Sequence, residues 1–289
     1  MSLIYAMIIW IASYPKSGNT WVRMFLRSYF LPEGKSFSIN SKGNDAFEAL
    51  NFPELKTLQE LNIDFNKFEN IVKNWVSIQD YINLNNKINF LKTHNGNFTI
   101  NDFPFTNKDN TAGGIYIVRD PRDVVISMSN HLNMNNESVV EHLITNQHEI
   151  AHIDKNSKNE KQDSFKKSIM GTWSMNYLSW KSYKGRKIHF VRYEDLINNT
   201  KNEFLKILEY LKNIINFDID ERKLNKAIIE TSFDNLSKME LQNGFIEQSW
   251  KRNFFRKGKI GDWKESLDNK LSKKIEDTFH KEMKYLGYI

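Results

Sequence analysis

The sequence predicts an α/β fold with a central, mainly parallel sheet flanked by helices in three layers. Two observations carry this. Four short apolar runs, Ile8–Ser13, Lys87–Lys92, Gly114–Val118 and Lys187–Arg192, are rich in Ile, Val, Phe and Tyr, and polar turn residues follow each. Helical patterns lie between them, and strands that alternate with helices pair in parallel with both faces covered. Size agrees, because 289 residues suffice for one large α/β domain. No repeat, low-complexity linker or proline cluster marks a boundary, so a single domain over residues 1–289 is expected.

The first run lies in a hydrophobic opening, Leu3 to Ala12, that has no basic lead-in and runs straight into Tyr14-Pro15-Lys16. Its length suits one buried strand and falls short of a membrane span or signal peptide. The first helix is expected over Trp21–Phe30. Val22, Phe25, Leu26 and Tyr29 share one side of it, and Arg23 and Arg27 lie on another. Further on, Asp120 reads as an N-cap, with Pro121 at the first helical position and Asp123 in the first turn. Thr200-x-x-Glu203 reads as a capping box ahead of the apolar stretch FLKILEYL.

In open α/β sheets, ligands bind beyond the carboxyl ends of the strands. Lys16 follows the first run, Thr93-His94 the second, Arg119-Asp-Pro-Arg the third and Tyr193-Glu-Asp the fourth. Composition narrows the chemistry. With no cysteine, the chain has no disulfide framework, thiolate zinc site or cysteine nucleophile. The net charge of +6 (41 basic against 35 acidic) is compatible with anionic ligands, or with a solvated basic surface. Nucleic-acid binding calls for a broader basic excess and a recognisable module, and neither is present.

Four segments carry the candidate site. SYPKSGNTW, Ser13 to Trp21, joins a strand to a helix start near Ser17–Thr20. Free N–H groups and the helix dipole make such a start an anion site, and Ser17, Asn19 and Thr20 can add side-chain donors. Lys16, just ahead, can reach over the anion. The bland reading is a capped helix with a solvated lysine. In IYIVRDPRDVVISMSNH, Ile115 to His131, Arg119 ends the strand and Ser127 lies about two turns into the helix. A guanidinium can hold two phosphate oxygens at once, or Arg119 can pair with Asp123. In FLKTHNGNF, Phe90 to Phe98, His94 follows Lys92 by two residues. A lone histidine is often structural, yet it is the best general base at neutral pH. FFRKGKIGDW, Phe254 to Trp263, carries three basic residues and two glycines; the glycines let the backbone approach a ligand closely, or the stretch is a solvated loop or a basic strip for nucleic acid.

Taken together, the strings YPKSGNTW, KTH, VRDPRDVVIS, YEDL, TSF and RKGKIGDWK resemble, in this order, the cytosolic-type sulfotransferases that use 3′-phosphoadenosine-5′-phosphosulfate (PAPS) and release 3′,5′-ADP (PAP). Asn19-Thr20, where the family usually carries Thr-Thr, is a variant associated with bacterial members. The resemblance implies a P-loop-like fold and a cytoplasmic enzyme. It implies that Lys16, Ser17, Gly18, Asn19 and Thr20 hold the 5′-phosphosulfate and that Trp21 stacks on the adenine. Arg119 and Ser127 would bind the 3′-phosphate, with Arg256, Lys257 and Gly258 closing over it. Tyr193, Thr231 and Phe233 would line the nucleoside. His94 matches the catalytic base and Lys92 its basic neighbour.

The resemblance calls for no metal and no nucleic-acid partner. The acceptor would be a hydroxyl or amine of a small molecule, lipid or carbohydrate. After GDWK the chain reads ESLDNKLSKKIEDTF, in place of the dimerisation motif of many animal members, which leaves the oligomeric state open. Two other readings stay open at this point. One is a P-loop small-molecule or nucleoside kinase, which the chain meets without a G-x-x-x-x-G-K-[ST] string. The other is a non-catalytic nucleotide or polyanion binder, which would have no need of His94.

Overall fold

The computed structural model describes residues 7–40, 47–145, 150–151, 167–248 and 252–289. In chain order, β1 (Met7–Ser13) leads into α1 (Asn19–Tyr29). Then β2 (Ala49–Asn51) and the helices α2 (Leu55–Glu60), α3 (Phe68–Lys73) and α4 (Trp75–Asn83) precede β3 (Ile88–Thr93). Two short strands, β4 (Thr99–Ile100) and β5 (Phe103–Pro104), come before β6 (Thr111–Val118) and α5 (Pro121–Leu132). Next are α6 (Asn136–Ile144), β7 (Ile150–Ala151), β8 (Lys167–Ser168) and α7 (Trp173–Lys181). The last strand, β9 (Ile188–Arg192), is followed by helices only: α8 (Tyr193–Asn198), α9 (Thr200–Lys212), α10 (Glu221–Glu230), α11 (Phe233–Asn243), α12 (Trp263–Ser266), α13 (Asn269–Thr278) and α14 (His280–Tyr285).

The central sheet has the order β2-β3-β1-β6-β9. β1 pairs parallel with β3, Met7 opposite Ile88 through Ala12 opposite Thr93, and β2 adds a parallel edge to β3. Ile8 through Ser13 are all buried, so neither face of β1 meets water, which explains a continuous apolar run instead of an alternating one. The four strands expected from the sequence are all present, within a few residues of their expected bounds. β2 escaped notice because three residues, two of them exposed, carry no periodic signal.

Two compact units make up the chain. The first comprises residues 1–14, 49–116 and 146–189, and the second residues 15–48, 117–145 and 190–289. In the first, fully buried Trp10 meets the rings of Phe52, Phe105 and Trp180 at 5.0 to 6.2 Å and donates through Nε1 to Thr111 Oγ1 at 2.9 Å. In the second, Val22, Phe25, Leu26 and Tyr29 of α1 turn inward, and the Phe25 and Phe204 rings stack at 3.7 Å.

Arg23, off the apolar side of α1, is nevertheless buried, held inside the second unit by an ion pair to Glu247. One local expectation is corrected. Thr200 and Glu203 do not form a capping box. Asn199 is the N-cap, and the Thr200 hydroxyl donates backward to the Leu196 carbonyl of α8 at 2.7 Å. Because α8 ends directly against α9, that carbonyl lies within reach of the hydroxyl, and the Glu203 carboxylate pairs with Lys206 instead. The Asp120 cap is present, accepting from Arg122 N with Pro121 behind it.

Candidate functional site

In the second unit, the N-cap of α1 is Gly18, whose φ of 104° places it in the left-handed region, and no side chain caps the helix. A β-carbon at Gly18 would lie 2.7 Å from Cδ2 of Tyr193, so the position admits only glycine. Lys16 also has a positive φ, 64°, an uncommon conformation for a residue with a side chain. The Ser17 hydroxyl is buried and has no hydrogen-bond partner. Buried polar atoms are almost always satisfied, so a lone hydroxyl at an uncapped helix start fits an oxyanion.

Arg119 follows β6. Its guanidinium lies 4.3 Å over the Tyr193 ring and donates to the carbonyls of Lys16 at 3.2 Å and Lys259 at 3.0 Å. It also forms the ion pair with Asp123 that the sequence offered, at 3.9 Å. Asp123 has another task, because it accepts from the backbone N–H groups of Gly261 at 2.7 Å and Trp263 at 3.0 Å. The first turn of α5 thus anchors the glycine-rich loop. Burial pushes the Tyr193 phenol above its ordinary value, although the nearby Arg119 charge works against this. The phenol is therefore uncharged at neutral pH.

Arg256 and Lys257 both bind Asp262, at 2.7 and 2.6 Å. Burial works to raise the Asp262 pKa, but the hydrogen bonds from Lys257 and Arg256 prevail and hold it below the usual aspartate range. A lowered folded-state value means this clamp contributes fully at neutral pH and is lost only as acid carries the pH down through that value. Gly258, with φ of 59°, lies against Phe233, and a β-carbon there would sit 2.4 Å from Cδ2 of that ring. Gly258→Ala should therefore cost about 1–3 kcal/mol of stability and displace Phe233. Thermal melts and PAP titration check this, and a variant that melts and binds as wild type would remove Gly258 from the site.

Trp21 donates through Nε1 to the Thr231 carbonyl at 2.9 Å, with its ring edge-on to Phe204 at 5.4 Å. The Thr231 hydroxyl is turned away, donating to Ala227 O at 2.7 Å, so Thr231 touches this cluster through its backbone. Ser127 and Arg256 line one cleft with Lys16. Lys16 Nζ rests 3.9 Å over the Phe254 ring.

In the first unit, His94 lies one residue beyond β3. Its Nδ1 is 2.8 Å from the Ser13 carbonyl oxygen, which can only accept, so Nδ1 carries the proton and Nε2 is the basic nitrogen. The His94 carbonyl accepts from Asn176 Nδ2 at 3.0 Å, and Asn176 Oδ1 accepts from the Tyr116 hydroxyl at 2.8 Å. Lys92 lies in β3, opposite Ile11 of β1 and Asn51 of β2.

Residues 8–287 match the sulfotransferase domain family. The chain belongs to that family. It is 27% identical over 291 residues to sulfotransferase 1B1 of Canis lupus familiaris, covering 94% of this chain and 82% of that one. It is 26% identical to cytosolic sulfotransferase 12 of Arabidopsis thaliana, over 94% of this chain and 76% of that one. Matches to human sulfotransferase 1C2 and to the amine sulfotransferase of Oryctolagus cuniculus span only 56% and 58% of those relatives. In fold it is similar to mouse sulfotransferase SULT7A1, solved with PAP, at a TM-score of 0.56 and 18% identity over 96% of this chain and 85% of that one.

Within this sulfotransferase domain, the second unit holds Lys16 to Trp21, Arg119, Ser127, Tyr193, Thr231, Phe233 and Arg256 to Gly258, while His94 and Lys92 belong to the first. Three residues not expected from the sequence, Asn130, His131 and Arg252, also line the Lys16 cleft. The spacing of Asn130 and His131 from Ser127 puts them on one face of α5 and is a signal that could have found them, whereas Arg252 had no pattern to reveal it. Among the described residues no helix is long and apolar enough to cross a membrane.

Proposed function

We propose that the protein is a PAPS-dependent sulfotransferase, one domain over residues 1–289, that transfers a sulfuryl group to a hydroxyl or amine of a small-molecule, lipid or carbohydrate acceptor. A cytoplasmic location goes with this reading, supported by the cytosolic relative. The observation that carries the reading is the uncapped start of α1 with its buried, unpartnered Ser17 hydroxyl, inside the string that matches the family's phosphosulfate loop.

Lys16, Ser17, Gly18, Asn19 and Thr20 hold the 5′-phosphosulfate, and Trp21 provides a face for the adenine. Thr20 acts through its backbone N–H, since its hydroxyl accepts from Arg23 and donates to Glu247; the side-chain oxygen of Asn19 is taken by Arg23. Arg119, Ser127, Arg256, Lys257 and Gly258 hold the 3′-phosphate, and Tyr193, Thr231 and Phe233 the nucleoside. The donor, when bound, supplies a sulfuryl group on a bridging oxygen that departs with the 5′-phosphate. His94 takes the acceptor's proton at Nε2, the nitrogen left basic by the Ser13 contact. Lys16 stabilises the negative charge that grows on the departing oxygen, and Lys92 adds a second cation. Positioning and charge stabilisation make up nearly all of such a transfer.

PAP should raise the melting temperature well above the effect of 5′-AMP, since only PAP engages Arg119, Ser127 and Arg256 through a 3′-phosphate. Differential scanning fluorimetry with both nucleotides decides it, and equal shifts would contradict the 3′-phosphate assignment.

A further inference from the structure

Arg23 occupies an electrostatically unfavourable place. It lies one turn into α1, but its guanidinium reaches back to Asn19 and Thr20 in the first turn, where the helix dipole is positive, and its side chain is only 7% exposed. A buried cation there needs compensation. It has that in Glu247, whose two oxygens accept from Arg23 Nη2 at 2.7 and 2.8 Å. The same guanidinium reaches the phosphosulfate loop. Nε donates to Asn19 Oδ1 at 2.9 Å, and Nη2 to Thr20 Oγ1 at 2.9 Å. The Thr20 hydroxyl in turn donates to Glu247 Oε2 at 3.0 Å.

We infer that Arg23 and Glu247 are positioning residues for the 5′-phosphate end of the donor, acting through Asn19 and Thr20. The inference rests on the donor reading above. Asn19 is held by its oxygen, which sets the rotamer of its amide. Thr20 both accepts and donates within the network, so its one hydroxyl proton is taken and its backbone N–H is the donor left to the anion. Glu247 neutralises Arg23, which leaves Lys16 as the cation that acts on the departing oxygen. The network also ties the loop to the segment leading into Phe254 and Arg256. Phe245, two residues before Glu247, packs against Phe254 and Phe255 at 5.1 and 5.3 Å.

The test is calorimetric titration of wild type, Glu247→Gln and Arg23→Lys with PAP, 5′-AMP and 3′-AMP. Glu247→Gln keeps the shape and removes the charge. Arg23→Lys keeps the charge and removes the fork that grips Asn19 and Thr20 together. Both variants should bind PAP and 5′-AMP about tenfold more weakly and 3′-AMP nearly as wild type does, because only the first two ligands carry a 5′-phosphate. Equal losses for all three ligands would reduce the network to general structural support and overturn the inference. Unchanged binding of all three would overturn it as well. A wild-type protein that binds none of them would instead sink the donor reading, and this inference with it.

Discussion

Replacing His94 with alanine lowers turnover by about 10²–10⁴-fold and leaves PAP affinity nearly unchanged. The separation follows from where His94 lies. It is in the first compact unit, held by the Ser13 carbonyl at Nδ1 and by Asn176 at its own carbonyl, whereas the nucleotide residues belong to the second unit. Removing the imidazole takes away the proposed proton sink of the acceptor and none of the proposed phosphate partners. Single-turnover kinetics with labelled donor, set beside PAP titration, read the two effects apart. Wild-type turnover in the variant would remove His94 from the mechanism. A parallel fall in PAP affinity would instead recast it as a structural residue of the loop.

Lys16→Met is expected to lose about 10²–10³-fold in turnover, the usual consequence of deleting one preorganised group aimed at developing negative charge. Its cost to stability is far smaller. The ammonium rests 3.9 Å over the Phe254 ring, a contact worth about 0.5–1 kcal/mol at a partly exposed position. The strained backbone at Lys16, φ 64°, is the same for any residue with a β-carbon, so methionine neither relieves nor adds to it. The kinetic loss should therefore exceed anything the melting temperature predicts. Comparing kcat with the thermal midpoint checks this. A turnover loss that merely tracks the loss of folded protein would contradict the leaving-group role.

The layout of this fold was legible because its signals are local. Ile8 through Ser13 reads as a buried strand from its own composition, and Asp120-Pro121 announces the start of α5 within four residues. The order of the motifs also placed each candidate just beyond a strand's carboxyl end. Local patterns failed where a partner from another element intervened. Thr200 and Glu203 have the spacing of a capping box, yet the Leu196 carbonyl of the preceding helix takes the Thr200 hydroxyl. Nor does any local pattern tell that Arg23 is buried, because its partner Glu247 stands 224 positions away.

The sequence by itself determined the strand–helix alternation, the family, and which residue types stand at the strand ends. Those properties depend on neighbours within a few positions and on the order of strings along the chain. Only the tertiary structure decided which of those side chains are already engaged. Arg256 and Lys257 are held by Asp262, Asn19 and Thr20 by Arg23 and Glu247, and Arg119 by two backbone carbonyls, while Ser17 is buried without a partner. A hydrogen bond depends on ångström-scale approach between groups far apart in sequence, and the packing of the folded chain sets that approach.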